Sequence, residues 1–466
     1  MVSDIAMKAL RLASVAVSFI AAAPTIVAAE PGEARAILSE LVAVNTSPAL
    51  GTRETAEILR DHFLRAGFPV SDISILTSPS APEKANLVVR LRGRGKAKPL
   101  LYMSHLDVVP AEPEDWTVPP FQLTEQDGWL YGRGVLDMKG EAANVAAAMI
   151  RLHKEGHRPP GDIVAVFSPD EETRGENGIV WLIQSQPELF DVKLILNPDA
   201  PVAVFRHGKR AYYGVQTSEK LYATFEVEVT NRGGHSSEPR PDSAIYSLTA
   251  GLNRLADYRF LAKLTHTVRA YYAAQAKFAT GERKADMEAV GRSDIKAADR
   301  LSGNPTDNAQ LRTTCIATML EAGHAENALP QRAVATVQCR LVPGENVKAV
   351  QAQLATVLAD PKIKLSLRYA DAAAEESKPT DAILDTFKGA VHSLWPELPV
   401  VPVMDAGGSD SLFTRTLGIP TFGAPSIFVD HDDIRAHGRD ERIRSERFAE
   451  GTELAYRIMK AFSEAP

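Results

Sequence analysis

Short apolar runs alternate with helical stretches through the first half of this chain, and this alternation limits the folds open to it. Strand-type runs and stretches of helical spacing follow one another at residues 85–92, 99–104, 141–154, 162–168, 180–184 and 192–197. Such alternation is typical of an α/β layer with a largely parallel sheet. Sites in open α/β sheets form at the carboxyl ends of the strands, so polar residues that follow these runs are the first candidates for function.

The pattern changes near residue 217, where apolar and polar residues alternate along a single run at 221–230. Strands and helices then fit residues 221–230, 243–256, 312–320, 333–341, 347–358 and 363–369, in the order βαββαβ. That order is the ferredoxin-like arrangement, with residues about 259–309 as a partly polar, helical insertion. We therefore predict an α/β domain with a mostly parallel sheet, at 30–216 and 372–466, interrupted by a ferredoxin-like α+β domain at 217–371.

The N-terminus has the form of a secretory signal peptide. Lys8 and Arg11 precede an uncharged run at 12–23, and small residues at 27–29 come before Glu30. An uncleaved membrane anchor is the alternative, but Pro24 and the shortness of the run argue against a stable span. We expect cleavage after about residue 29, a secreted or periplasmic protein, and no integral span after cleavage.

Composition excludes some classes of function. The chain has 466 residues, enough for two to three domains, and a formal net charge of −7 with no long basic run, so nothing points to nucleic acid. Its two cysteines, Cys315 and Cys339, lie in apolar stretches that fit neighbouring strands. Two cysteines make neither a disulfide framework nor a zinc-site pattern, and we expect buried free thiols, although pairing in an oxidising compartment stays open.

Two candidate functional groups carry an aspartate at the end of a predicted strand or before a helix. His105 and Asp107 are two residues apart, so His105 can bind a metal ion through one ring nitrogen while Asp107 accepts a hydrogen bond from the other. An ordinary His–Asp pair is the alternative. Asp137 precedes the helical stretch 141–154 and is either its N-cap or a carboxylate that bridges two metal ions.

The pair Glu171–Glu172 is the sharper signal. Together with Asp170 it packs three acids just after an apolar strand. Crowded like charges raise each other's pKa and destabilise the fold unless a cation compensates. A solvated acidic turn is the alternative reading; otherwise Glu172 binds a metal ion and Glu171 acts as general base on an activated water.

Two more candidates would complete a dinuclear site. Asp199 follows a buried-type strand, and His437 lies in a charged stretch that would by itself fit a surface loop. Two divalent ions carry roughly four positive charges. Asp137, Glu172, Asp199 and a bound hydroxide each carry one negative charge, so the total is near zero. This nitrogen and oxygen ligand set suits two Zn²⁺, for which Co²⁺ or Mn²⁺ could substitute.

Eight motifs together resemble one known family over roughly residues 35–460, and they read SHLDVVP, GRGVLDMKG, SPDEETRGENG, GGHSSEP, ENALP, CRLVPGE, GGSDS and AHGRDE. The chain resembles the co-catalytic zinc aminoacylase and carboxypeptidase superfamily, which includes glutamate carboxypeptidase, acetylornithine deacetylase and succinyl-diaminopimelate desuccinylase. The long insertion is similar to that of carboxypeptidase S-type members. The resemblance implies that the larger domain is catalytic and that the smaller one is a lid and often a dimerisation surface.

The resemblance also implies a role for each matched residue. His105 and Asp199 would bind one metal ion, Glu172 and His437 the other, and Asp137 would bridge them, with Glu171 as the base and Asp107 supporting His105. His235 matches a lid histidine that in dimeric members reaches the partner's site and stabilises the oxyanion. The matched substrate positions are Asn327, Arg340, Gly408 and Ser409, with Arg340 gripping a carboxylate.

From these residues we expect a dinuclear zinc metallopeptidase that cleaves the amide bond next to the C-terminal amino acid of a short peptide. An N-acyl amino acid deacylase is the alternative among hydrolases. A zinc-dependent binding protein without catalysis is the alternative from another class, and the presence of Glu171 speaks against it. A homodimer through the lid is an expectation from the resemblance.

Overall fold

Helices and strands alternate between residues 139 and 197, as predicted, whereas five strands follow one another between residues 73 and 131. The structure, a computed structural model, describes residues 32–173 and 178–465, so the signal peptide expected at 1–29 lies outside the described residues. Within those ranges, no helix has both the length and the apolar character that a bilayer span requires. In chain order the elements are α1 (Gly32–Ala43), α2 (Arg53–Arg65), β1 (Ile73–Thr77), β2 (Ala85–Leu91), β3 (Leu100–His105), β4 (Thr124–Gln126), β5 (Trp129–Tyr131), α3 (Lys139–Lys154), β6 (Ile163–Ser168), α4 (Ile179–Ser185), β7 (Leu194–Asn197), β8 (Ala203–Arg206) and β9 (Lys209–Glu219).

The middle part of the chain forms a second sheet, and the last part adds further strands to the first sheet. The middle elements are β10 (Leu221–Thr230), β11 (Gly234–His235), α5 (Ala244–Asp257), α6 (His266–Gln275), α7 (Gly281–Gly291), α8 (Ile295–Leu301), α9 (Pro305–Leu311), β12 (Thr314–Ala322), β13 (Ala328–Leu329), β14 (Arg332–Leu341), α10 (Val347–Leu358) and β15 (Ile363–Ala370). The last elements are α11 (Asp381–His392), β16 (Val400–Asp405), α12 (Ser411–Thr416), β17 (Thr421–Gly423), β18 (Val429–Asp430), β19 (Arg442–Arg444) and α13 (Ser445–Glu464).

A large mixed sheet forms the centre of the main domain. Its strand order is β1-β2-β6-β3-β7-β17-β9-β8-β18, with β16 also paired to β9. The pairs β6–β3, β3–β7, β7–β17 and β9–β16 are parallel, whereas β1–β2, β2–β6 and β8–β9 are antiparallel. The predicted fold class, a mostly parallel sheet interrupted by a second domain, is confirmed.

Helices cover both faces of this sheet and account for the continuous apolar strands. Every residue of β3 and β6 is buried, which is the pattern of strands covered on two sides. Helix α3 packs between α1 and α13 on one face, and its run of alanines allows this close approach. The other face carries α4, where Ile179 and Leu182 contact an apolar cluster that includes Leu101 and Val164.

The smaller domain is an antiparallel four-stranded sheet of order β12-β14-β10-β15. Helices α5 and α10 pack on one face, so the element order βαββαβ is the predicted ferredoxin-like arrangement. Strand β10 alternates as expected: Phe225 and Val227 are buried under the helices, and Tyr222 and Glu226 lie on the open face. The boundaries at 216/217 and 371/372 remain proposals.

The expected insertion is a helical layer between the two domains. Helix α6 packs along β16 of the main sheet, where Tyr271 and Ala274 contact the apolar side chains of that region. The next residue, Tyr272, belongs to a buried cluster that also contains Val342, directly after β14, and Met404 in β16. The insertion therefore contacts both domains.

The two cysteines form a disulfide, so the expectation of free thiols is wrong. Cys315 in β12 lies directly opposite Cys339 in β14, with a Cα–Cα distance of 4.1 Å. Opposite positions on antiparallel strands bring two side chains together, and only the register of the pairing decides which residues are opposite. Strand periodicity had placed both residues on strands, but it carries no register.

Candidate metal centre and active site

The sequence-predicted ligands lie where three neighbouring parallel strands end. Strand β3 ends at His105, β6 is followed by the turn that holds Glu171 and Glu172, and β7 is followed by Asp199. Because β6, β3 and β7 are adjacent and run in the same direction, these ends meet at one edge of the sheet. The convergence expected from the strand pattern is present.

Asp137 lies between the two imidazoles. Its Oδ1 is 3.1 Å from Nε2 of His105, and its Oδ2 is 3.1 Å from Nε2 of His437. His105 also faces Asp199 at 3.9 Å, and His437 faces Glu172 at 3.0 Å. Asp137 therefore belongs both to a group with His105 and Asp199 and to a group with Glu172 and His437. Asp137 is not the N-cap of α3, because Met138 occupies that position.

These spacings fit a pair of metal ions. Two ligand atoms about 2.0–2.1 Å from a tetrahedral zinc lie roughly 3.3 Å from one another. The imidazole-to-carboxylate distances at the centre range from 3.0 to 3.9 Å, and the ligand atoms in each of the groups His105–Asp137–Asp199 and Asp137–Glu172–His437 lie within 4.8 Å of one another. The donor set is imidazole nitrogen and carboxylate oxygen, which is what zinc and its close substitutes bind.

The charges at the site also require cations. Hydrogen bonds with Asp137 and Glu172 raise the pKa of His437 to about 10. Burial opposes ionisation of Asp137, yet hydrogen bonds with His105 and His437 keep its pKa below the ordinary value. The carboxylates thus hold positive charge on both imidazoles, and two divalent ions would supply that charge in their place.

Asp107 connects His105 to the turn that follows β6. Nδ1 of His105 is 3.0 Å from the carbonyl oxygen of Asp107 and 3.5 Å from its carboxylate. The same carboxylate accepts hydrogen bonds from the backbone N–H groups of Glu171, at 3.3 Å, and Glu172, at 3.0 Å. One buried side chain therefore orients a ligand on β3 and also the two glutamates on the neighbouring loop.

Glu171 lies among the ligands in an environment that suits a proton acceptor. Burial and the nearby carboxylate of Asp199 raise the pKa of Glu171 well above its ordinary value. One of its oxygens lies within 4.8 Å of His105 and Glu172 ligand atoms. A carboxylate with a raised pKa beside a metal centre is the arrangement that general bases use.

Sequence reasoning missed a buried ion pair that joins two ligand loops. Arg133 donates to Glu441 at 2.6 Å, and both side chains are almost completely buried. Glu441 accepts the backbone N–H of Asp137 at 3.0 Å, and Arg133 donates to the carbonyl of His437 at 3.4 Å. Both residues lie in motifs noted above, but the sequence has no signal for a contact across 308 positions.

Arg340 and Gly408, two of the expected substrate positions, lie beside the predicted ligands. They line a cavity of about 740 Å³ together with Asp137, Glu171, Glu172, Asp199 and His437. Tyr222 and Tyr369 line the same cavity and had been missed as site residues. The guanidinium of Arg340 is 4.9 Å from the ring centroid of Tyr222, whose ring is 5.9 Å from that of Tyr369. The strand alternation had placed Tyr222 on the open face of the lid, which was the available signal.

The other three predicted site residues are placed differently. Ser409 is buried, and its hydroxyl donates to Glu219 at 2.8 Å. His235 is exposed on β11, and Asn327 is exposed in the loop before β13, where its carbonyl accepts the N–H of Ser236. Among the described residues, neither His235 nor Asn327 lines the cavity that contains the predicted ligands.

Comparison with known proteins establishes the family. Residues 101–461 match the profile described as Peptidase family M20/M25/M40. The chain belongs to this family. The M20 family is metal-dependent, and this member is accordingly a metal-dependent peptidase or amidohydrolase. The family assignment agrees with the resemblance carried by the eight motifs.

Three relatives show the range of named activities around this M20 member. It is 30% identical to the N-fatty-acyl-amino acid synthase/hydrolase PM20D1 of Xenopus tropicalis, over 75% of this chain and 69% of the relative. It is 27% identical to a probable carboxypeptidase S-like 2 of Dictyostelium discoideum, over 87% and 79%. It is 26% identical to aminoacylase-1A of Rattus norvegicus, over 79% and 80%.

Solved structures share the fold of this M20 member. The metallo-carboxypeptidase Sso-CP2 of Sulfolobus solfataricus superposes with a TM-score of 0.68 at 18% identity, covering 93% of this chain and 99% of that chain. The dipeptidase Dug1p of Saccharomyces cerevisiae superposes with a TM-score of 0.65 at 19% identity, covering 93% and 96%. At these identities the likeness concerns the fold alone.

Proposed function

We propose that this hydrolase binds two zinc ions and cleaves the amide bond next to a free carboxylate, releasing the C-terminal amino acid of a short peptide. His105 and Asp199 would hold one ion, Glu172 and His437 the other, and Asp137 would bridge them. The single observation that supports this most directly is the position of Asp137, with one oxygen 3.1 Å from each imidazole. Co²⁺ or Mn²⁺ would fit the same donors.

Glu171 would carry the proton in this reaction. When bound, the two ions supply Lewis acidity to the scissile carbonyl and lower the pKa of the attacking water. The Glu171 carboxylate accepts the proton of that water and then donates it to the nitrogen of the leaving amine. Asp107 keeps Glu171 in place through the backbone hydrogen bond at 3.3 Å.

The lid would recognise the substrate carboxylate and the side chain beside it. Arg340 is the guanidinium of the lid that lines the cavity, and guanidinium groups bind carboxylates in a bidentate way. Tyr222 lies opposite Arg340 on the neighbouring strand β10, and Tyr369 lies one strand farther on β15. The substrate residue next to the carboxylate would therefore contact an aromatic wall beside the guanidinium. Closure of the lid would bring Arg340 onto the substrate, beside Gly408 of the main domain. We therefore expect a preference for apolar C-terminal residues.

N-acyl amino acid deacylation is the second candidate, and the names of relatives favour it. PM20D1 and aminoacylase-1A are named for N-acyl amino acid substrates, whereas the carboxypeptidase S-like relative is named for peptides. Both substrate classes place an amide next to a carboxylate, so the same residues would serve either. The peptide proposal and the deacylase proposal differ only in the group on the other side of the amide.

A substrate panel on zinc-reconstituted protein tests both proposals. Amino acid release would be measured from dipeptides, N-acetyl amino acids and N-dodecanoyl amino acids that share one C-terminal residue. Higher kcat/KM for the dipeptides supports the peptidase, and higher kcat/KM for either acyl series supports the deacylase. Amidated versions of the same compounds serve as controls, because they lack the carboxylate. Equal rates on the amidated compounds would contradict the carboxylate requirement.

A homodimer through the lid is proposed from the edge strand β12. Among the strands that the structure describes, β12 pairs only with β14, and its apolar residues Ile316, Met319 and Leu320 are more than half exposed. An unpaired, apolar edge is a surface that adds another strand. His235 and Asn327 are exposed on the same domain, and we propose that they act at the site of the partner subunit.

Export is proposed from the N-terminal pattern together with the disulfide. Disulfides persist in oxidising compartments and are rare in the cytosol. The cross-strand pair Cys315–Cys339 supports a secreted or periplasmic location for this reason. Fractionation of expressing cells, with N-terminal sequencing of the mature protein, tests this proposal: cleavage near residue 29 supports it, and an intact cytoplasmic product contradicts it.

A further inference from the structure

A second cavity, separate from the metal centre, lies at the opposite ends of the strands that form it. Its volume is about 890 Å³. Its walls come from the β8–β9 turn, the end of α6 and the loop before β16, and the lining residues are Arg206, His207, Lys209, Arg210, Ala211, Gln275, Phe278, Trp395, Pro396, Glu397, Leu398 and Pro399. Strand β16 begins directly after Pro399, which lines this cavity, and ends at Asp405, which lines the catalytic cavity. Six extended residues span about 20 Å, so the two cavities are distinct.

Basic side chains predominate in this cavity, whereas the protein as a whole has a negative net charge. Four basic side chains, Arg206, His207, Lys209 and Arg210, line it against one acid, Glu397, although the chain carries a net charge of −7. Among the described residues, no carboxylate lies within 4.0 Å of the charged nitrogens of Arg206 or Lys209, in contrast to Arg210, which pairs with Glu450. Two cations at the cavity are thus available to an anionic ligand.

Apolar and aromatic side chains form most of the remaining wall. Phe278, a residue of the insertion, keeps 52% of its surface exposed, and it faces the same cavity as Trp395 and Leu398. The guanidinium of Arg210 lies 4.3 Å from the ring centroid of Trp395, so its ion pair with Glu450 also holds that ring in position. An exposed aromatic surface beside unpaired cations fits a ligand with both an apolar and an anionic part.

A buried polar group adds an independent observation. Gln275 lines the cavity with only 7% of its surface exposed, and its amide nitrogen has no hydrogen-bond partner among the described residues. Buried polar atoms in folded proteins are nearly always paired. An unpaired amide at the wall of a cavity is a group that a ligand oxygen or an ordered water would satisfy.

We propose that this cavity binds a single-chain anionic amphiphile, with a carboxylate or phosphate headgroup near Arg206 and Lys209 and an alkyl chain along Phe278, Trp395 and Leu398. An inorganic anion alone would leave the aromatic wall exposed, and a neutral alkyl compound would leave the two cations unused. The proposal is independent of the function proposed for the metal centre, because the two cavities share no lining residue.

Tryptophan fluorescence of the metal-loaded protein provides the test. Trp395 lines the cavity, and Trp395→Phe identifies its part of the signal among the four tryptophans. Dodecanoate and dodecyl phosphate, below their micelle-forming concentrations, should both change the signal. Acetate, inorganic phosphate and dodecyltrimethylammonium should bind at least a hundredfold more weakly. The proposal would be overturned if the cationic amphiphile bound as tightly as the anionic ones, or if neither anionic amphiphile bound.

Matched variants locate the binding. Arg206→Gln with Lys209→Gln, and separately Phe278→Ala, should each weaken dodecanoate binding at least tenfold while hydrolytic rate and thermal unfolding stay unchanged. Lys362→Gln with Lys364→Gln removes the same charge from the exposed edge of the lid and should bind as the native protein does. Arg340→Gln, in the catalytic cavity, should also retain binding. If Arg340→Gln abolishes binding and the Arg206/Lys209 pair of substitutions does not, the ligand occupies the catalytic cavity and the proposal is wrong.

Discussion

At the scale of single residues, adjacent glutamates in this site have opposite expected roles. Glu172 lies 3.0 Å from His437, in the position of a metal ligand, whereas Glu171 lies in the cavity with a raised pKa. Both are held by backbone hydrogen bonds to the carboxylate of Asp107. The two roles can be separated by substitution, because one change should affect proton transfer and the other should affect metal content.

Glu171→Gln should lower kcat by about 10²–10⁴-fold, the usual contribution of a positioned general base. The amide cannot accept the proton, but the metal ligands remain, so the bound zinc measured by atomic absorption should stay near two ions per chain. The matched variant Glu172→Gln should instead lose metal. Unchanged hydrolysis by the Glu171 variant with full metal content would eliminate the assigned role.

The activity should fall on the acid side of its pH profile. A base acts in its ionised form, and burial with the nearby Asp199 carboxylate raises the pKa of Glu171 above the ordinary value. Activity should therefore be present above that raised pKa and be lost as pH falls through it, at a pH higher than the ordinary glutamate value of about 4.3. The measurement is kcat/KM against pH with metal content checked at each point, because protonation of the imidazoles also releases metal. A flat profile down to the pH of metal loss would contradict this role.

At the scale of elements, loops far apart in sequence are held together by a few buried contacts. The loop before α3 carries Asp137, the loop before β19 carries His437, and the pair Arg133–Glu441 connects them. A buried pair of this kind adds little net stability, but removal of one partner leaves an uncompensated charge. We propose that its contribution to this site is to position the two predicted ligands, Asp137 and His437.

Glu441→Ala should lower the free energy of unfolding by about 3–5 kcal/mol, because Arg133 is left buried without its partner. It should also weaken zinc affinity by about 10–100-fold through the freed Asp137 backbone. The double variant Arg133→Met with Glu441→Met should recover much of the stability but not the zinc affinity. Denaturant unfolding and zinc titration with a chelator report the two quantities. Native zinc affinity in the double variant would show that the pair does not position the ligands.

The disulfide should stabilise the lid sheet. Cys315 and Cys339 close a loop with a sequence separation of 24. Cys315→Ser with Cys339→Ser should lower the free energy of unfolding by about 2–4 kcal/mol, mainly because the unfolded chain gains freedom. Thermal unfolding with and without reductant is the measurement. The native protein should lose stability when reductant is added, and the double serine variant should not respond. Equal stability of the native protein and the double serine variant without reductant would count against the bond.

At the scale of the whole molecule, the lid sheet has an apolar edge strand, β12, whose outer side pairs with no strand among the described residues. Ile316 on β12 is 65% exposed, and we expect it to lie in a dimer interface. Ile316→Lys should convert the dimer to a monomer, because the charge would be buried on association. Ile295→Lys, at a 43% exposed site in the insertion, is the matched control and should leave the dimer unchanged. Light scattering on a sizing column measures both, and a native protein that is already monomeric at high concentration would contradict the proposal.

Local pattern was sufficient for the elements and for most of the candidate ligands. Alternation in β10 and helical spacing in α3 reflect which side of each element meets the core, and that information is local. Parallel strands end at a common edge, so placing His105 and Asp199 at strand ends was enough to predict that they meet. The contacts that were missed or mistaken, Arg133–Glu441 and the disulfide, join positions whose proximity depends on register and loop path.

What the amino-acid order alone determined is the type of the elements with a clear period, the order of the two sheets along the chain, and the chemistry of the residues at the strand ends, because burial periodicity and side-chain type belong to single segments. What only the tertiary structure decided is which oxygen of Asp137 faces which imidazole, which cysteines are opposite, and how the helical insertion joins the main sheet to form a second cavity. Those outcomes depend on packing between separate segments of the chain, and the close-packed core as a whole fixes the distances between them to within a few ångströms.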